Sequence, residues 1–348
     1  MRLVCSFLNG GSDDGRDSPE MKVVSAFLML ILVSLSSSYG LETPSKMSLI
    51  VVVGEPGEST YEKMFQVWAD RWEQAATKAQ CQCVQIGLQK STSESHDRDV
   101  ILQTLKSISE DQPETLLIVM IGHGTFDGSK AKFNLRGPDI TAAELNDKLS
   151  AISSRIAIIN CTSASGPFIE QLSAENRVII TATQSGFESN FARFGDYLSK
   201  TIVDPAADLD KDGQTSLLEA WLAASKQTQE YYESQSQLAT EHSILDDNAD
   251  RKGTPADWFR GIHLVKSTQD DAIPDGTFAN QFILVPDQNH TALSEDVRNK
   301  RDQLELKLAK LRQRKLELSE SEYLKELEAL LIPLAELYRE SNSQSDGN

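Results

Sequence analysis

The sequence predicts an α/β protein: a doubly wound, mainly parallel sheet with helices on both faces, followed by a C-terminal α-helical hairpin. Three observations predict it. Short apolar runs rich in β-branched residues recur at Ser48–Val53, Cys83–Leu88, Leu116–Ile121, Ile156–Ile159 and Val178–Thr183, each with the length and composition of a strand buried on both faces. Segments of helical periodicity separate these runs, and strands alternating with helices at this pitch form parallel sheets. From Ala292 to Arg339, leucines recur at three- and four-residue steps among dense Glu, Lys and Arg, which is the pattern of paired amphipathic helices.

Taken in order, residues 1–40 read as an N-terminal extension and signal peptide. Met21 and Lys22 supply a charged start, Val23 to Leu35 the apolar stretch, and Ser36 to Gly40 the small residues before a cut near Leu41. That apolar stretch is short for a membrane span. Export into a periplasm or secretion is expected, with a single N-terminal membrane anchor as the alternative and no membrane span in the mature chain. The sequence does not decide between Met1 and Met21 as the start. Once Cys5 is removed, Cys81, Cys83 and Cys161 remain, an odd count that leaves at least one free thiol in an exported protein. Cys81 and Cys83 either form a strained local disulfide or are small buried residues.

Residues 41–285 read as the α/β domain. The first strand ends at Gly54, Glu55, Pro56 and Gly57. A phosphate loop is discounted there because its Lys-Ser/Thr is missing. A helix follows from about Thr60 to Lys78, with Met64, Phe65, Trp68 and Trp72 on one face, and another from about Asp97 to Ser109. After the third strand an irregular polar segment holds a small hairpin strand at Lys132–Leu135. Asp139 or Thr141 caps a helix over Ala142–Leu149. A short helix is expected after Pro167, and a longer one over Ser216–Glu233.

Two strands run straight into reactive residue types. Leu116–Ile121 ends in Gly122, His123, Gly124, and Ile156–Ile159 ends in Asn160, Cys161, Thr162, Ser163. Both lie at the carboxyl edge, where open α/β sheets place ligands and chemistry. Adjacent strands would set a thiol nucleophile near a histidine base, with the Gly124 N–H available to a developing oxyanion. His242 is a rival base, expected on a helix and therefore structural. Asn160 either orients a histidine or simply ends its strand, and its sequon lies against the sheet.

Residues 208–219 match the calcium-loop pattern D-x-D-x-D-G-x5-E in full. Calcium needs six or more oxygens, and Asp208, Asp210, Asp212, the Gln214 carbonyl and a bidentate Glu219 supply them, with Gly213 at the sharp turn. A structural Ca2+ is expected. A second acidic loop from Asp246 to Gly253 lacks the terminal glutamate.

Residues 290–340 form the charged hairpin, broken at Leu318, Ser319 and Glu320, and residues 341–348 are expected to be disordered. The hairpin's apolar stripe packs on its partner helix, on the domain, or in helix-mediated self-association or against a protein partner; the sequence does not choose. The formal charge of −18 argues against nucleic acid and anionic membrane as partners, since both select for Lys and Arg.

Strand–His-Gly followed by strand–Cys resembles the caspase–legumain clan of cysteine peptidases. The stretch Ile180 to Asn190, followed by Phe194, Gly195, Asp196 and Tyr197, is similar to the legumain stretch after the nucleophile strand, where a loop helps to form the substrate pocket. The resemblance spans roughly residues 47 to 265. It implies a caspase-like sheet and an exported cysteine endopeptidase with a Cys161–His123 dyad acting on a polypeptide substrate. One departure stands out: legumain-type enzymes place the cysteine two residues before Ser-Gly. Here Ser165 and Gly166 put Ser163 at that position, and Cys161 would need a longer elbow. Three readings stay open: Cys161 attacks, Ser163 replaces it, or the protein is a catalytically inactive calcium-binding scaffold or interaction module.

Overall fold

The computed structural model describes residues 47–89, 96–266, 273–285 and 295–345. The leader read at residues 1–40 and the last three residues lie outside them. In chain order come β1 (Met47–Val53), α1 (Ser59–Lys78), β2 (Gln82–Ile86), α2 (Asp97–Asp111), β3 (Thr115–Ile121), β4 (Gly124–Phe126), β5 (Ala131–Phe133), β6 (Ile140–Thr141), α3 (Ala142–Leu149), β7 (Arg155–Asn160), α4 (Phe168–Leu172) and β8 (Arg177–Thr181). Then follow α5 (Phe194–Thr201), α6 (Leu217–Ser234), β9 (Ile244–Asp246), β10 (Thr254–Pro255), β11 (Phe259–Arg260), β12 (His263–Leu264), α7 (Thr277–Asn280), α8 (Glu295–Gln313) and α9 (Glu320–Ser345).

The main sheet has the order β10-β9-β8-β7-β3-β1-β2. β2, β1, β3, β7 and β8 pair in parallel; β9 and β10 are antiparallel. The buried runs are therefore a doubly covered parallel sheet, as their composition requires. Residues alternate between two cores. Leu117, Val119, Ile121, Ala157 and Ile159 pack with Phe65, Trp68 and Trp72 of α1 and with α5 and α6. Leu116, Ile118, Ile156 and Ile158 pack with α2, α3 and α4. Period-two alternation decides which side each strand residue serves.

The expected hairpin strand at Lys132 is one member of a small antiparallel sheet, β4-β5-β6, that grows directly out of Gly124. Thr141 caps α3 in a reciprocal capping box with Glu144, while Asp139 accepts from the Leu135 N–H instead. No described helix is long and apolar enough to cross a membrane. The C-terminal helices are present, and α9 continues through Ser345, so residues 341–345 are helical where the sequence suggested disorder. His242 sits in the loop before β9, not on a helix. Cys81 and Cys83 are free thiols, so no local disulfide forms.

Candidate functional site

β3 and β7 are neighbours, so His123 and the Asn160–Gly166 loop leave the same sheet edge side by side. Within that edge the expected partners separate. Cys161 continues the alternation of Ala157 and Ile159 and is wholly buried in the core beneath α1 and α5. A Cβ added at Gly195 would lie 2.8 Å from the Cys161 Cβ and 2.8 Å from the Trp68 ring. That tight layer leaves no route to the thiol. Burial, with the Glu241 charge in second place, pushes the thiol far above its ordinary value, the opposite of what a nucleophile needs. Strand parity thus carries Cys161 into the core, and among the described residues no hydrogen bond joins it to His123.

Ser163 takes the place facing the histidine strand. Its Oγ donates to the Gly124 carbonyl at 3.2 Å and accepts from the Gly124 N–H at 3.3 Å. Its neighbour Ala164, at φ 53°, donates its N–H to the Glu188 carbonyl at 2.8 Å. Ser163 is 3% exposed. A Cβ at Gly124 would meet the Ser163 carbonyl at 2.2 Å, so glycine is what lets the two loops touch. The donor expected for an oxyanion is thus occupied by the serine. Behind it, the Thr183 hydroxyl accepts from the N–H groups of Ser165 and Gly166 at 2.7 and 3.1 Å, pinning the loop. Asn160 ends the strand: its Oδ1 accepts from the Thr162 N–H and hydroxyl, and it contacts no histidine.

His123 turns to another neighbourhood. Its Nε2 lies 3.3 Å from the Pro56 carbonyl; a carbonyl only accepts, so that nitrogen carries the proton. Tyr61, Phe65 and Phe191 surround the ring at 4.8, 5.3 and 5.9 Å between centroids. Burial lowers its pKa, against the opposing pull of the Pro56 hydrogen bond and the Glu58 charge. Among the described residues no hydrogen bond joins His123 to Ser163. The rim holds a second histidine pair: His242 Nδ1 lies 2.6 Å from Glu188 Oε1 and is about half exposed.

Two walls of the His123 cage, Tyr61 and Phe191, also line a cavity of about 460 Å3. Its other side is built by Arg193, Tyr231, Tyr232, Gln237 and Thr240. The Arg193 guanidinium stacks 4.4 Å from the Tyr231 ring and 5.7 Å from Phe191; the buried Glu241 carboxylate acts on it electrostatically, and Glu58 lines the same cavity. Sequence reasoning missed this cavity. Its walls come from positions up to 180 residues apart, and no local spacing announces them.

Asp208, Asp210 and Asp212 bring carboxylate oxygens within 4.8 Å of one another, and Gly213 takes φ 88° at the turn. Asp208 accepts from the N–H groups of Lys211 and Gly213, and Asp212 accepts from that of Gln214. Glu219 is committed to the same loop: Oε1 accepts from Leu209 N–H, and Oε2 closes a capping box with Ser216 at the start of α6. Burial and then the charges of Asp212 and Glu219 push Asp210 up to about 6. α8 lies over this loop. Glu305 is pushed up to about 7 by burial, with Asp302, Asp210 and Asp212 adding to it and Arg301 opposing.

No protein-family model matches the chain, and no curated protein does. Among solved structures, the Drosophila initiator caspase Dronc shares 12% identity over 60% of this chain and 82% of that one, with a TM-score of 0.41. Caspase-1 from Spodoptera frugiperda shares 10% over 58% and 85%, with a TM-score of 0.39. Raptor from Chaetomium thermophilum shares 11% over 46% of this chain and 17% of that one, at 0.32. The fold itself is a mainly parallel α/β sheet covered by helices on both faces. With TM-scores below 0.5, none of these three likenesses bears on the site.

Proposed function

We propose that this protein is a catalytically silent, caspase-like polypeptide-binding module rather than a Cys161–His123 endopeptidase. One observation carries the reading: the wholly buried Cys161 thiol belongs to the core, while Ser163 occupies the position facing Gly124. Ser163 donates to a backbone carbonyl, so nothing draws its proton off, and an unactivated hydroxyl is a poor nucleophile. Binding has better support. The cavity beside His123 combines four aromatic side chains with six polar ones, Glu58, Thr60, Asn190, Arg193, Gln237 and Thr240, a lining suited to the mixed polar and apolar groups of a peptide. Leu238, next in the chain to the lining residue Gln237, is 90% exposed. Arg193, stacked on Tyr231, is the cation of a cavity that Glu58 also lines, and it is the group that would draw the acidic side chain of a peptide.

We further propose that Asp208, Asp210, Asp212, the Gln214 carbonyl and Glu219 hold a structural Ca2+, which would neutralise the loop's crowded carboxylates and stiffen the entry to α6. Export through residues 21–40 belongs to the same proposal.

The test is incubation of residues 45–348, one compact unit, with a peptide library and millimolar calcium, read by mass spectrometry. Retained intact peptides and no new fragments are the expected result. Fragments that disappear in Cys161→Ala would overturn the reading and restore the peptidase; fragments lost only in Ser163→Ala would move the nucleophile to the serine.

A further inference from the structure

The hairpin of α8 and α9 carries more apolar surface than one pair of helices covers. Along α9, Tyr323, Leu327, Leu330, Leu334 and Leu337 recur at alternating four- and three-residue steps and are half-buried. Tyr323 of that stripe lies under Lys315, 5.6 Å from ring centre to nitrogen, and Arg314 reaches Glu326 across the turn at 3.6 Å. A second stripe beside it is open: Leu324, Leu331 and Ile332 are 53%, 42% and 51% exposed. The two stripes together span an arc of about 200°, roughly twice what a helix needs to lie on one neighbour.

The charges on the two helices are complementary and unspent. Lys300, Lys307 and Lys310 are exposed on α8, and Glu320, Glu328 and Glu336 are exposed on α9. Among the described residues none of these six has an ion-pair partner. At 100° per residue Glu328 falls between Leu324 and Ile332 and Glu320 falls between the two stripes, so acidic and apolar groups share the open face of α9. The same surface thus holds an apolar acidic helix and a basic helix, the two halves of a self-complementary contact.

We propose that a second copy of this chain covers the open stripe of α9. The pairing is twofold, hairpin on hairpin, with α9 of each copy set along α8 of the other to give a four-helix bundle. A single copy satisfies neither the leucines nor the charges; the reciprocal arrangement satisfies both twice. This inference does not depend on what the His123 edge does.

The test uses residues 45–348 with sedimentation equilibrium, and circular dichroism confirms that each variant is folded. The wild type is expected at twice the monomer mass at micromolar concentration. Leu324→Glu with Leu331→Glu, both at exposed positions, is expected to weaken association by about a hundredfold or more while leaving the spectrum unchanged. Two charge variants then fix the orientation: Glu328→Lys with Glu336→Lys, and Lys300→Glu with Lys307→Glu. Each alone opposes like charges and is expected to associate weakly, whereas their equimolar mixture restores both contacts and forms the heterodimer. A wild type that stays monomeric, or a dimer indifferent to the leucine changes, would overturn the proposal. Charge variants that each self-associate as tightly as wild type would overturn the α9-on-α8 pairing.

Discussion

The sheet edge at His123 and the acidic loop at Asp208 were both marked by short motifs, yet they fared differently when folded. Asp208, Asp210 and Asp212 converge because they lie within five consecutive residues, so spacing and local turn chemistry determine the geometry. The sheet edge joins residues from two strands nearly forty positions apart. There the outcome rests on which way each side chain points as the strand ends. Ile156 and Ile158 face α2, α3 and α4, while Ala157, Ile159 and then Cys161 face α1 and α5. A shift of one residue reverses the face. Proximity in sequence to a strand end is therefore weaker evidence than parity along it.

The largest effect should come from closing the seam itself. Gly124→Ala drives a methyl into the Ser163 carbonyl and the Thr162 hydroxyl and is expected to cost about 2–4 kcal/mol in urea unfolding. Gly128→Ala, at φ 92° but in open space, should cost only about 1 kcal/mol. Equal losses would mean that the two loops do not touch as described.

The metal comes next. At calcium a hundredfold above its dissociation constant the expected stabilisation is about 2.7 kcal/mol, read as a rise in Tm that chelator reverses. Asp210→Asn should remove it, and an unchanged melting curve would contradict the calcium assignment. The sign with pH is set by raised carboxylates. Asp210 and Glu305 hold their protons longer in the folded chain, so their contribution is present below about pH 4 and is lost as pH rises through about 6 and 7. Without calcium the Tm should fall over that window. With calcium the fall should shrink, because the ion binds the deprotonated loop.

Cys161→Ala is expected to cost about 1–2 kcal/mol as a small core truncation and to leave peptide binding unchanged. Smallest in free energy is Arg193→Met, which keeps the stacking bulk; it should weaken acidic peptides about five- to tenfold and neutral ones little. A uniform loss across peptides would place Arg193 in a structural role.

Much of the fold was legible. The five buried runs became the five parallel strands, and the α3 cap, the short helix after Pro167 and the two C-terminal helices stand where periodicity and capping chemistry put them. Each rests on interactions within a few residues of the chain. The strand β9 and the three-stranded sheet around β5 were not legible as such, since their short segments owe their pairing to neighbours. At the site, the placement of His123 beside the Ser163 loop followed from strand order. The Tyr61–Phe191 cage and the Arg193 cavity did not, because they form only when α1, the β8 loop and the end of α6 meet.

The position of the Cys161 thiol decides between a silent module and an enzyme, and alkylation followed by intact mass reads it directly. Native residues 45–348 treated with iodoacetamide near neutral pH should label Cys81 and Cys83 slowly, since both are half-buried and burial raises their thiols, Cys83 to about 11, and should leave Cys161 untouched until denaturant is added. Rapid, selective labelling of Cys161 in the folded protein would show an accessible, ionised thiol at the sheet edge and contradict the account.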